Sequence, residues 1–330
     1  MAQADSYFWM DGHLARSLQE VSDDPAALED GNFWAVSLSF EGKALFARYS
    51  DLLASEFPEA PWQQLTGGWK SSQSEAEYLS YVSGIREAVG AGSVYQVNAC
   101  RELSHSIASD LSLAGLFSEL VEKNPAPFAS YLSVNDLQIA SASPERFLSR
   151  QGSHLVTSPI KGTIRDSEDV FGEKDRAENL MIVDLMRNDL GRICNPGSVE
   201  VDQLFRHEKH PGITHLVSDV SGELQAGVTW AQIFAAVLPP GSVSGAPKSA
   251  ALSIIEEREG PRGPYCGILG WVHADRAELS VAIRTFWTTG DSILRFGTGA
   301  GITWGSDPEG EWEETQLKAR RLISIAGGNL

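Results

Sequence analysis

Strand candidates follow one another in runs along this chain, and helix candidates interrupt the runs at irregular intervals. Consecutive strands without a helix between them pair as antiparallel neighbours, whereas regular β–α–β alternation builds parallel sheets. The β-rich runs lie at residues 33–38, 44–47, 93–100, 128–134, 137–142, 153–158, 267–272, 279–287 and 292–302. The pattern therefore predicts an α+β fold with large antiparallel sheets.

The helix candidates carry recognisable start signals. Ser74 and Glu77 fit a capping box, and Tyr78, Val82 and Ile85 follow at helical spacing. Further helices are predicted over residues 110–123, 173–188, 229–238, 246–257 and 309–325. Pro247 fits a first-turn position of the 246–257 helix.

Charge and cysteine usage exclude several classes of protein. The chain has 26 basic and 44 acidic residues, a formal charge of −18, which argues against a nucleic-acid partner. Cys100, Cys194 and Cys266 form no CxxC pair, so neither a zinc site nor a disulfide framework is indicated. The N-terminus lacks a signal-peptide pattern, and no apolar run approaches the ~20 residues of a membrane helix. We therefore expect a cytoplasmic protein.

Two glycine-rich segments invite a nucleotide-binding interpretation. Residues 241–249 end like a phosphate-binding loop but lack its Gly-Lys pair, and residues 297–301 miss the third glycine of the dinucleotide motif. As bare patterns, both segments are more typical of structural turns. Their backbone N–H groups could still approach an anion.

Carboxylates recur at helical spacing in two places. Asp175 and Glu178 are three residues apart, as are Glu311 and Glu314, with Lys318 four residues further on. Such pairs usually lie on a solvated helix face. If the two faces met, they would instead form an oxygen site suited to Mg²⁺.

Three single residues could carry chemistry. Lys161 ends an apolar run and could extend to solvent or, if buried, lose its proton and act as a nucleophile. Glu145 lies between strand candidates, where it is either a general acid or one member of a surface pair with Arg146. His215 lies inside a strand-like run, which is typical of a structural core histidine.

Taken in order, the segments between about Tyr95 and Lys318 resemble the chorismate-utilising enzymes, which include anthranilate, aminodeoxychorismate, isochorismate and salicylate synthases. The resemblance rests on residues 95–98, 143–147, 159–163, 177–185, 187–191, 215–218, 240–248, 283–285, 299–302 and 314–315. It implies the anthranilate-synthase-component-I-like sandwich of two large antiparallel sheets flanked by helices. Residues 1–70 would form a shortened N-terminal strand region of the sheets, and residues 71–330 the chorismate-binding core.

Within this family, Lys161 resembles the lysine of the aminodeoxychorismate synthase branch, where anthranilate and salicylate synthases have alanine. That lysine attacks C2 of chorismate and expels the C4 hydroxyl, after which ammonia adds at C4. Gln96 stands where isochorismate-type enzymes carry a lysine that activates water. An anthranilate-type or isochorismate-type activity remains the alternative, and a non-catalytic scaffold is a second.

The resemblance also implies roles for the remaining site residues. Glu178 and Glu314 would bind Mg²⁺. Asp175 and Glu311, one turn before each, would either support these ligands from behind or bind the ion in their place. Glu145 would protonate the leaving hydroxyl, His215 would steady charge near it, and Thr163 would hydrogen-bond the substrate. The substrate would also be held by Gln96, Tyr265, Arg284, Lys318 and the backbone of a turn at Gly299, Ala300, Gly301 and Ile302. No glutaminase motif is present, so ammonia would come from a glutamine amidotransferase subunit or from free ammonium.

Overall fold

The computed structural model describes residues 6–165, 171–210 and 213–330. The helices of this part of the chain are α1 (Glu75–Gly90), α2 (Ala114–Lys123), α3 (Glu173–Gly191), α4 (Trp230–Val237), α5 (Lys248–Arg258) and α6 (Pro308–Ala326). The strands of its first half are β1 (Tyr7–Met10), β2 (His13–Ser22), β3 (Phe33–Leu38), β4 (Ala44–Ala54), β5 (Leu65–Gly68), β6 (Lys70–Ser71), β7 (Gln96–Ser106), β8 (Phe128–Val134), β9 (Leu137–Ser143), β10 (Arg146–Gln151), β11 (His154–Ser158) and β12 (Ile160–Arg165). Those of its second half are β13 (Glu200–His210), β14 (Ile213–Glu223), β15 (Gly245–Ala246), β16 (Ile268–His273), β17 (Arg276–Val281), β18 (Thr285–Thr288), β19 (Ile293–Ile302) and β20 (Gly327–Asn329).

Antiparallel pairing joins eighteen of these strands into one network, and β5 and β20 form a separate small sheet. The N-terminal strands belong to the network, since β1 pairs with β8 and β3 pairs with β16. The predicted α+β class is therefore confirmed, and its strands form a continuous, curled sheet with helices packed against it.

The helix starts follow the capping chemistry of the sequence. The Ser74 hydroxyl accepts from the Glu77 N–H, and the Glu77 carboxylate accepts from the Ser74 N–H, which completes the predicted capping box of α1. Thr229 and Gln232 form the same motif at α4. α2 begins at Ala114 rather than near residue 110, and the Leu113 N–H just before it donates to the Gln138 side chain.

Two predicted elements differ from those in the structure because strands distant in the sequence pair with them. The single strand predicted over 279–287 is two strands, because β17 pairs with β10 and β16 while β18 pairs with β9 and β19. The chain changes partners at 282–284, where Arg284 takes a φ of 52°. α5 begins at Lys248, so Pro247 precedes the helix rather than lying in its first turn; Gly245 and Ala246 stay extended because they pair with β7.

The long pairing of β7 with β19 supports one wall of the candidate site. It runs from Val97 opposite Ile302 to Ser106 opposite Ile293. The apolar side chains Val97, Ala99, Ala300 and Ile302 pack in one cluster beneath α1 and α5. Because strand side chains alternate between the two faces, residues such as Gln96 and Gly301 are left on the opposite face.

Candidate active site

Lys161 lies in β12 at the centre of the candidate site. Its Nζ atom donates a hydrogen bond to the Ser242 carbonyl oxygen at 3.0 Å. Burial lowers the pKa of Lys161, the carboxylates of Glu178, Glu145 and Glu314 oppose that effect, and Lys318 adds to it. The net lowering of the pKa enlarges the fraction of neutral amine, which is the nucleophilic form.

Glu145 is a buried carboxyl beside this lysine, with only 3% of its surface exposed. Burial raises its pKa to about 7, although the Ser242 side chain, the Lys161 charge and the Ile160 amide each lower it. Near neutral pH a substantial fraction of this carboxyl therefore holds a proton. That is the state a general acid needs.

His215 and Arg284 form a second part of the site. Nη2 of Arg284 lies 3.4 Å from Nε2 of the buried His215 ring. Because a guanidinium has only donors, a hydrogen bond here requires Nε2 of His215 as the acceptor. Burial, with the charge of Arg321 adding to it, lowers the pKa of Arg284 to about 10, so the group is still a cation at neutral pH.

The end of the Gln96 side chain lies against Gly301. A Cβ atom at Gly301 would come within 2.3 Å of the Gln96 Nε2 and within 3.5 Å of the Lys161 Nζ. The Gln96 side chain is 1% exposed, and its Oε1 has no hydrogen-bond partner among the described residues. The site thus contains a buried acceptor beside the lysine, and Gly301 makes room for both.

The strand predicted over 292–302 is confirmed, and the turn predicted within it at Gly299–Ile302 is wrong: these residues are the last part of β19 and pair with β7. The Gly299 carbonyl accepts from the Lys318 Nζ at 3.0 Å. In an antiparallel pair, the N–H and C=O groups of one residue point to the same side. The Gly299 N–H, and that of Gly301 two residues on, therefore face the Lys318 side, where a carboxylate could bind. Ala300 turns its side chain into the core and can contribute only backbone.

The acidic residues come from two helices. Glu178 on α3 and Glu314 on α6 both act on the Lys161 charge, and Lys318 pairs with Glu314 at 2.6 Å. Asp175 accepts from the Gly172 N–H at the start of α3, and Glu311 is buried and acts on Tyr78. Across the described residues no cluster of three metal-ligating side chains occurs. Two carboxylates still suit Mg²⁺, which takes few protein ligands together with water and substrate oxygens.

Thr163 and Tyr265 are two further residues that the sequence predicts to bind the substrate. The backbone of Thr163 pairs with that of His215, but its side chain lies outside the described part of the chain. The Tyr265 ring lies against Gly297, and its hydroxyl accepts from the Cys100 thiol at 3.9 Å. It lines a cavity of about 310 Å³ together with Cys100, Trp287 and Gly297.

Sequence reasoning missed Ser242, which touches both Lys161 and Glu145. It lies in the segment 240–248, which the sequence presents as a glycine-rich turn resembling a phosphate loop. Gly241 packs against α3 so closely that a Cβ there would lie 2.4 Å from Leu185. In the sequence, the Gly241-Ser242 pair is the signal that could have marked this segment as part of the site.

The sequence of this chain is similar to those of several known proteins. Residues 17–324 match a sequence family described as chorismate binding enzyme. Aminodeoxychorismate synthase component 1 of Salmonella typhimurium is 37% identical over 84% of this chain, and that of Escherichia coli is 36% identical over 94%. Anthranilate synthase component 1 of Saccharolobus solfataricus is 36% identical over 78%. The matches span 63%, 74% and 64% of those three relatives, respectively.

Solved structures share the fold. Anthranilate synthase component I of Streptococcus pneumoniae superposes with a TM-score of 0.81 at 22% identity, over 98% of this chain and 91% of that one. The isochorismate synthase MenF of Escherichia coli gives a TM-score of 0.83 at 18% identity, over 98% and 89%. In the described residues no helix is long and apolar enough to cross a membrane. With the family match extending over most of the sequence, the chain belongs to the chorismate binding enzymes.

Proposed function

We propose that the protein is an aminodeoxychorismate synthase large subunit, which converts chorismate and ammonia to 4-amino-4-deoxychorismate. The observation that carries the proposal is a lysine amine of lowered pKa beside a buried carboxyl whose pKa is about 7. A nucleophile and an acid close to each other suit a substitution in which a hydroxyl leaves as water.

The first step forms a bond between the Lys161 Nζ and C2 of chorismate. The ring double bond shifts, the C4–O bond breaks, and the proton of Glu145 leaves with the hydroxyl as water. Ammonia then adds at C4, the double bond shifts back, and the C2–N bond breaks to release the Lys161 amine. The Glu145 carboxylate accepts the proton that the new C4 ammonium gives up, which restores the acid.

Gln96 favours ammonia over water as the second nucleophile. An amide side chain has no basicity and cannot activate water, whereas ammonia needs no activation. The buried Gln96 Oε1, which no described residue satisfies, could accept an N–H of the incoming ammonia. A glutaminase subunit or free ammonium would supply that ammonia.

Substrate carboxylates would be held by cationic and backbone groups around Lys161 and Glu145. Arg284, Lys318 and the N–H groups of Gly299 and Gly301 are the candidates. Glu178 and Glu314 would hold Mg²⁺, which when bound would neutralise a carboxylate of the substrate. This arrangement explains how an acidic protein could bind a dianion.

Product identity tests the proposal. Purified protein with chorismate, Mg²⁺ and ammonium chloride should form 4-amino-4-deoxychorismate, which an added lyase converts to 4-aminobenzoate. Anthranilate or isochorismate as the product would instead support the alternative activity, and no product would support a scaffold.

The covalent step has its own test by intact-protein mass spectrometry. Chorismate should add mass to the wild type and to K70A, which changes an exposed lysine, but not to K161A. An adduct that persists in K161A would contradict the assignment of the nucleophile.

A further inference from the structure

Ser242 offers a different atom to each of the two groups that the proposed reaction uses. Its carbonyl oxygen accepts from the Lys161 Nζ at 3.0 Å, across 81 positions of the chain. Its hydroxyl acts on the carboxyl of Glu145 and lowers the pKa of that carboxyl. Ser242 is itself buried, at 6% exposure, so both contacts are shielded from water.

The segment that carries Ser242 is held from several directions. The Val243 carbonyl accepts from Nη1 of the buried Arg262 at 2.8 Å. The Ser244 carbonyl accepts from the Asn98 N–H of β7 at 2.8 Å. The Ser244 hydroxyl donates to the Pro240 carbonyl at 3.0 Å. Ser242 is therefore fixed by its neighbours and can act as a rigid reference for side chains on other elements.

We propose that Ser242 is a positioning residue, whose carbonyl aims the Lys161 amine while its hydroxyl orients the Glu145 carboxyl. The inference rests on the proposed function, because it takes Lys161 as the nucleophile and Glu145 as the acid. One residue between the two sets the spacing of the attacking nitrogen and the proton donor. Such spacing governs rate, since a misplacement of about 1 Å can reduce turnover about 100-fold.

The Ser242 hydroxyl also affects the pKa of the Glu145 carboxyl. A donor to a carboxylate stabilises its ionised form, so removing the donor makes the proton harder to lose. The charged group that acts on Glu145 is Lys161 of β12, and the neutral contacts are Ser242 and the Ile160 amide. Lys161 is in turn faced by Glu178 of α3 and by Glu314 and Lys318 of α6.

The variant S242A removes the hydroxyl and keeps the carbonyl, so it separates the two roles. The matched control is S244A, which removes a buried hydroxyl from the same segment that touches neither Lys161 nor Glu145. S242T restores a hydroxyl and guards against a folding artefact. Circular dichroism should first establish that each variant is folded.

The direct measurement is an infrared pH titration of the band of the protonated Glu145 carboxyl. That band is the one that disappears in the variant E145Q. In S242A the midpoint of the Glu145 band should rise by about one pH unit, as expected from the loss of one hydrogen bond to a charged group. S242T and S244A should keep the wild-type midpoint. An unchanged midpoint in S242A, or an equal rise in S244A, would overturn the proposal.

The kinetic measurement is the rate of adduct formation from chorismate in a single turnover. S242A should slow it by about 10-fold to 100-fold with the KM for chorismate nearly unchanged, and S242T should restore most of the rate. A KM effect alone would contradict a positioning role. The infrared titration uses no chorismate. Its result therefore tests the effect of Ser242 on Glu145 even if the product test contradicts the proposed function.

Discussion

Gly301 shows how a missing side chain shapes the site at the scale of single residues. The Gln96 amide occupies the space where a Cβ at position 301 would lie, and the Lys161 Nζ borders the same space. A methyl group there would have to displace the amide, which lies closer to that position than the Lys161 Nζ does. Position 301 therefore requires glycine because there is no space for a side chain, and not because of its backbone conformation, since Gly301 does not have a positive φ.

We expect the variant G301A to slow adduct formation by about 100-fold, because the shifted Gln96 side chain would crowd Lys161. Gly305 is the matched control, since a Cβ there would meet no atom within 4 Å. G305A should react at the wild-type rate. Comparable rates for G301A and G305A in single-turnover mass spectrometry would show that Gln96 does not border the reacting groups.

At the scale of elements, one buried ion pair ties the segment of Ser242 to the helix of Glu178. The Lys248 Nζ, at the start of α5, lies 2.7 Å from the Asp189 Oδ2 near the end of α3. It also donates to the Val237 carbonyl at 3.3 Å. Burial raises the pKa of Asp189, and the Lys248 charge beside it acts in the opposite direction. The pair thus holds two elements of the site in a fixed relation.

Replacing Lys248 by methionine should lower the free energy of unfolding by about 3 kcal/mol, because it leaves a buried carboxylate without its charge partner. Urea unfolding at pH 7 measures this. Arg187 and Asp184 form an exposed pair on the same helix, so R187M should lower it by less than about 1 kcal/mol. Equal losses in the two variants would mean that the Lys248 pair behaves like a surface pair.

At the scale of the whole molecule, the continuous sheet brings distant segments together and buries charge between them. Glu145 follows β9, Lys161 lies in β12, and Gln96 begins β7. Burial of the Glu145 carboxyl raises its pKa from the ordinary 4.5 to about 7. Stability of the entire fold is therefore linked to the protonation of one site carboxyl.

This linkage predicts a pH dependence of stability. A carboxyl whose pKa is raised on folding contributes most below pH 4.5, and that contribution is lost as the pH rises through about 7. Relative to E145Q, the wild type should lose about 3 kcal/mol of unfolding free energy between pH 4.5 and pH 8. Urea unfolding across this range measures it. The exposed-residue variant E59Q should follow the wild type, and parallel curves for wild type and E145Q would contradict the linkage.

Local chemistry was predictable where neighbours in the chain decide it. Ser74 and Glu77 identify the start of α1, and the spacing of Glu311, Glu314 and Lys318 correctly predicts a helix. The order of motifs indicates the family that the comparisons confirm. The strand over 279–287 and the turn at 299–302 were wrong because pairing with distant strands determines them.

Residue types and the order of motifs are read directly from the sequence of this protein. The helix caps also follow from the sequence alone, because they depend on chemistry within a few residues. The contacts of Ser242 with Lys161 and Glu145 were decided by tertiary structure, because they join three separate segments of the chain. The same holds for the proton affinities of the site. A pKa depends on how much water the fold removes from a group, and burial exists only once the sheet and helices have packed.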